Sequence, residues 1–149
     1  MTEGVALVVR RTIRATPERL FAAWTEPEHL CSWWGPRPVT CAGAEVDLRV
    51  GGRYRIVNAL PGGTTVTIEG QFREIEPPSK LVYTWRTDQG IEEWSLVTVR
   101  FELRGDATEV TVVHDQIASE PVRDSHEKGW NGCLDGLALY FEAREQIDG

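Results

Sequence analysis

The stretch that decides the fold is Ala15–Pro36, ATPERLFAAWTEPEHLCSWWGP. Thr16-Pro17 marks a helix start, with threonine as N-cap and proline in the first turn, where its missing N–H costs nothing. Leu20, Phe21 and Trp24 recur at helical spacing and give that helix one apolar face. Pro27 opens a second short helix carrying Leu30 and Trp33 or Trp34, and Gly35-Pro36 stops it. Trp24, Trp33 and Trp34 fill a core, line a cavity or form a contact patch. The spacing assigns Trp24 to the core. Only one of Trp33 and Trp34 faces inward easily from so short a helix, and Trp34 is placed over a cavity mouth.

Upstream, Val5–Ile13 is rich in β-branched residues and predicts a strand. Downstream the period changes to two. Val46, Leu48 and Val50 alternate with Glu45, Asp47 and Arg49, a half-buried strand. Gly51-Gly52 turns the chain, and Tyr54 and Ile56 continue the next strand. Val66, Ile68, Gly70 and Phe72 share a phase. So do Leu81, Tyr83 and Trp85 after Pro77-Pro78, then Val97, Val99, Phe101 and Leu103. A turn at Gly105-Asp106 leads to Val110, Val112 and His114. Regular spacing with short turns predicts an antiparallel meander. From Ser125 to Gln146 the period returns to 3.6, with Asp124 and Glu127 as a capping pair. Trp130, Cys133, Leu134, Leu137 and Phe141 form its apolar stripe, and its length is roughly 30 Å. Gly129, Gly132 and Gly136 flank that stripe and signal a close approach, most simply tight packing. The order is strand, two helices, about six strands and a long helix, an α+β layer arrangement in one domain over residues 1–149.

Composition sets the outer bounds. The chain has 149 residues, 41% hydrophobic and 26% charged, as in an ordinary globular protein. No apolar run reaches the length of a membrane span, and MTEGVALVVRR does not read as a signal peptide, so the expected location is cytoplasmic. A net charge of -7 argues against nonspecific nucleic-acid binding. Cys31, Cys41 and Cys133 form no ligand-spaced set, and an odd count without a secretory signal predicts reduced thiols.

Several motifs then line up in order. Arg11-x-Ile13-x-Ala15-x-Pro17, Ala23-Trp24-Thr25-Glu26-Pro27-Glu28-x-Leu30 and Trp33-Trp34-Gly35-Pro36 open the series. Asp47-Leu48-Arg49-Val50-Gly51-Gly52 with Tyr54, Tyr83-Thr84-Trp85, Val112-x-His114 and Gly129-Trp130-x-x-x-Leu134 complete it. Together they resemble the domain related to the activator of the heat-shock-protein-ninety ATPase, within the START-like (SRPBCC) superfamily, over nearly the whole chain. The resemblance implies a helix-grip fold, a curved antiparallel sheet around the C-terminal helix with a hydrophobic cavity between them. It also implies binding of lipids, sterols, polyketides or other apolar molecules, with cyclases and dehydratases among the members. The namesake co-chaperone carries an additional N-terminal chaperone-binding domain, for which these 149 residues are expected to leave no room, so the resemblance implies fold more than co-chaperone activity.

Chemical motifs are sparse. His29, His114 and His126 make no HExxH, and Gly51-Gly52-Arg53 is neither a P-loop nor GxGxxG; no GxSxG is present, and no metal or cofactor is expected. His114 shares the inward phase of Val110 and Val112 and is the candidate acid or base, set against a hydrogen-bonded core histidine. His126 is a second acid–base candidate, set against a rim or capping residue, and His29 reads as a surface residue. Asp47 falls on the outer face and pairs with a cation or the turn; Glu92 and Glu93 are solvated. Asn58 continues the Tyr54–Ile56 phase as a polar anchor, or else lies in a loop. Trp94 is out of phase, hence exposed or displaced by a bulge.

The resulting expectation is an apolar small-molecule-binding protein. Its walls are Tyr54, Ile56, Trp85, Val97, Val99, Val112, Trp130 and Leu134; His114 and Asn58 orient a polar group, and Trp34 guards the opening. The alternatives are an enzyme using His114 as acid or base on an aromatic or polyketide-like substrate, and a co-chaperone-like stimulator of a chaperone ATPase. A homodimer is compatible with the sequence but not required by it.

Overall fold

The structure is a computed structural model that describes residues 5–34, 39–88 and 94–148, with side chains through residue 143. Gly35-Pro36, Glu92 and Glu93 lie outside the described residues. Strand β1 (Val5–Ile13) leads into helix α1 (Pro17–Thr25), capped by the Thr16 hydroxyl, which accepts the Arg19 N–H at 3.2 Å. Helix α2 (Pro27–Trp33) follows, with proline again in its first turn. Strands β2 (Thr40–Val46), β3 (Arg53–Ala59), β4 (Thr65–Glu76), β5 (Lys80–Thr87), β6 (Ser95–Arg104) and β7 (Ala107–Ile117) precede the long helix α3 (Glu120–Asp148). All neighbouring strands are antiparallel, in the order β1-β7-β6-β5-β4-β3-β2. The sheet is open and curved, with α3 across one face: the α+β helix-grip arrangement expected from the sequence.

Alternation places Tyr54, Ile56, Ile68, Phe72, Trp85, Val97, Val99, Val110 and Val112 in one core with Leu20, Trp24, Trp130, Leu134 and Leu137. Gly70 is required within it: a Cβ there would strike the Thr84 carbonyl oxygen and the Tyr54 ring. Its absence lets the Tyr54 hydroxyl donate to that same carbonyl at 2.6 Å. The Trp24 indole N–H donates to the Tyr83 hydroxyl at 3.1 Å, tying α1 to the sheet.

Four local readings are corrected. Residues 47–50 form no strand. Arg49 N–H bonds the Asp47 carbonyl and Gly52 N–H bonds the Arg49 carbonyl, so the chain folds back, with Gly51 at φ +87°. Leu48 and Val50 are therefore exposed, as is Leu103 near the end of β6. Asp47 does take a cation, Arg49 Nε at 2.8 Å. Second, α3 begins at Glu120, not Ser125, and runs 29 residues, roughly 43 Å. The Ser119 hydroxyl accepts the Val122 N–H at its start, while Asp124 and Glu127 both pair with Arg123.

Third, both Trp33 and Trp34 are buried, because α2 ends against the sheet and its C-cap residue turns inward as well. Fourth, two of the three thiols expected to be reduced are joined. Cys31 and Cys41 form a disulfide with Cα atoms 5.1 Å apart. The packing of α2 against β2 brings together residues whose spacing of ten carries no signal. Cys133 is a buried thiol outside any disulfide.

Candidate functional site

The sheet and α3 do not close on each other everywhere. Between the first turns of α3 and strands β3–β5 lies a cavity of about 210 Å³. The helix contributes Ser125, His126, Gly129, Trp130 and Cys133, a set at spacings of one, four, five and eight that forms one stripe. The sheet contributes Asn58, Val66, Ile68, Trp85 and Thr87, with Leu60 just past β3. Trp34 and Val39 close it from the α2 side. No Asp, Glu, Lys or Arg is among the described lining residues.

Three indoles dominate these walls and touch one another. Ring centroids are 5.5 Å apart for Trp34 and Trp130, 6.1 Å for Trp34 and Trp85, and 5.3 Å for Trp85 and Trp130. Asn58 lies within β3, points inward and is 8% exposed, so the strand alternative is the correct one.

His114 is held behind this wall and does not line the cavity. Trp130 Nε1 donates to its Nδ1 at 3.1 Å, which makes Nδ1 an acceptor. Nε2 therefore carries the proton and donates to Ser95 Oγ at 2.7 Å, and the Ser95 hydroxyl in turn donates to the Trp85 carbonyl at 3.2 Å. Burial first, and His126 second, lower the imidazole from 6.5 to about 3. Both nitrogens are committed in the neutral state, and protonation at Nδ1 would set two donors against each other. An acid–base role has no ring nitrogen to offer a ligand.

Of the other residues expected at the site, Tyr54 and Ile56 border a separate void of about 20 Å³, room for a single water. Val97, Val99, Val112 and Leu134 are fully buried in solid core. His126, read as a rim residue, lines the cavity and stacks on His114 with centroids 4.8 Å apart. His29 is half-buried, its Nδ1 2.6 Å from the Tyr140 hydroxyl. Trp94 is exposed, with the Arg86 guanidinium 4.4 Å over its ring.

Sequence reasoning missed Val66, Ile68, Cys133 and Gly129 as wall residues. Their signal was the shared phase of β4 and the α3 stripe. The glycine flank was read as a close approach, yet a Cβ at Gly129 would meet nothing within 4 Å. Among the described residues no His, Cys, Asp and Glu cluster could hold a metal, and no helix is long and apolar enough to cross a membrane.

Residues 14–142 match the family model described as "Activator of Hsp90 ATPase homolog 1-like protein". No curated protein matches the chain. Solved structures do. The AHSA1 protein of Silicibacter pomeroyi is 25% identical, with 94% of this chain and 99% of that one covered at a TM-score of 0.84. A protein of Rhodobacter sphaeroides is 27% identical, covering 93% and 92% at 0.82. The AHSA1-like protein of Aeromonas hydrophila is 26% identical, covering 95% and 94% at 0.79.

Proposed function

We propose that this chain, which belongs to the activator of Hsp90 ATPase homolog 1-like family, binds an apolar small molecule in the cavity between its sheet and α3. Fold and family support a ligand-binding or activator role in general. The observation that favours the ligand is the cavity of about 210 Å³ walled by Trp34, Trp85 and Trp130, with no Asp, Glu, Lys or Arg among its described lining residues. Apolar cavities of roughly 150 Å³ take up benzene, so this one has room for a ring with short substituents. The site residues in this reading are Trp34, Asn58, Ile68, Trp85, His126 and Trp130. The commitment of both His114 nitrogens sets the enzyme reading below it.

Native mass spectrometry of the protein titrated with alkylbenzenes tests the proposal. Saturable one-to-one adducts are expected, and they should vanish in Gly129→Leu, whose side chain enters the open space. Absence of saturable adducts with every alkylbenzene would overturn it. The family description carries a second reading, stimulation of a chaperone ATPase. The hydrolysis rate of purified chaperone with and without this chain separates the two, since filling the cavity with Gly129→Leu should leave an activator active.

A further inference from the structure

Two of the cavity's wall residues carry polar atoms that have no hydrogen-bond partner among the described residues. Asn58 is 8% exposed and its Oδ1 is buried without a hydrogen-bond partner. Trp85 is 6% exposed and its Nε1 is likewise buried without one. The indoles around them set the contrast, because Trp24 donates to Tyr83, Trp33 to the Ala23 carbonyl and Trp130 to His114. Buried polar groups normally find partners, as these three indoles do, whereas the buried Trp85 N–H does not. One wall residue offers an unused acceptor and another an unused donor, and both strands holding them flank β4, whose Ile68 and Val66 line the same space.

We propose that the cavity selects a small neutral alcohol or phenol, an apolar body of about one substituted ring whose hydroxyl donates to Asn58 and accepts from Trp85. This rests on the ligand-binding reading above and narrows it. Size supports it: about 210 Å³ lies below the roughly 300–1,000 Å³ of sites for drug-sized ligands, which excludes a sterol or a long acyl chain. Charge supports it too. With no Lys or Arg among the described lining residues, a carboxylate or phenolate would enter without a permanent cation to pair with, and an unpaired buried charge is disfavoured. A plain hydrocarbon would fill the space but leave both polar atoms idle.

Isothermal titration calorimetry on the full chain with para-ethylphenol, para-ethylanisole and para-ethyltoluene tests the selection. The three share a shape and differ in whether the oxygen donates, only accepts, or is missing. The phenol should bind about tenfold more tightly than the toluene, as expected for net hydrogen-bond gains, with the anisole between them. Asn58→Leu should erase the gap between phenol and anisole, and Trp85→Phe the gap between anisole and toluene. Should one variant fail to fold, the other and the unmodified series still decide. Equal affinities for all three would overturn the hydroxyl assignment and leave the apolar cavity standing; a buried water bridging Asn58 and Trp85 gives that result. No binding of any of the three would overturn both.

Discussion

The two ends of α3 meet the same sheet and produce opposite results. Toward its C-terminal half, Leu134, Leu137 and Phe141 pack with Val97, Val99, Val110 and Val112, and none of these exceeds 4% exposure. Toward its N-terminal half, Ser125, His126 and Gly129 stand over β3, β4 and β5 and leave a cavity. The strands in both regions alternate equally well. What differs is the bulk the helix lowers onto them: Leu134, Leu137 and Phe141 fill the space at one end, while at the other Ser125 and Gly129 leave it open beside His126 and Trp130. Alternation tells which face of a strand is inside; the opposing helix residue decides whether the inside is filled.

Truncation separates the two halves most directly. Leu137→Ala should cost about 2–5 kcal/mol in urea denaturation, the range for a fully buried leucine, because the packed half has no slack. Ile68→Ala, at a cavity wall with fewer neighbours to lose, should cost visibly less. Equal losses would mean that the two regions are packed alike.

The seam between the halves responds to pH. His114 bonds the cavity wall through Trp130 and the packed strands through Ser95, and its imidazole is lowered to about 3 from 6.5. The unfolded chain gains that proton near pH 6.5, whereas the native state refuses it down to about 3. Stability is therefore full above that window and declines as pH falls through it, by about 1.4 kcal/mol per unit. His114→Gln keeps an acceptor for Trp130 and a donor for Ser95 without titrating. Urea midpoints from pH 7 to 4 should fall less steeply for it than for the parent, and parallel curves would remove His114 from the seam.

The smallest effect sharpens the contrast. Gly129 sits inside α3 with open space where its Cβ would be. Gly129→Ala should raise stability by about 1 kcal/mol through helix propensity alone while narrowing the cavity. A destabilised variant would mean that the space is not open.

Most of the architecture was readable. Thr16-Pro17 and Pro27 fixed both short helices, and the period-two runs from Tyr54 to His114 placed the strands and their inward faces. The errors came where a local pattern met a nonlocal cause. Leu48 and Val50 continue a strand's alternation, but backbone bonds among Asp47, Arg49 and Gly52 turn the chain first. Cys31 and Cys41 carry no spacing signal, since only the docking of α2 on β2 makes them neighbours. The site was legible by halves. Phase correctly sent Asn58, Trp85 and Trp130 inward, yet sent His114 and Val112 inward by the same rule. Which of these meet space and which meet one another depends on where α3 lies, and no strand period encodes that.

The aromatic cluster has an optical consequence. Trp24, Trp33, Trp34, Trp85 and Trp130 form an unbroken chain of neighbouring rings, with centroids 4.8 to 6.1 Å apart. At such separations excitation absorbed by one indole can pass to a neighbour before it is emitted, so the five are optically coupled. Trp94, under Arg86 on the outer surface, stands apart from it. Three of the five, Trp34, Trp85 and Trp130, wall the cavity, so a molecule entering there should shift the emission of the cluster while leaving Trp94 unchanged.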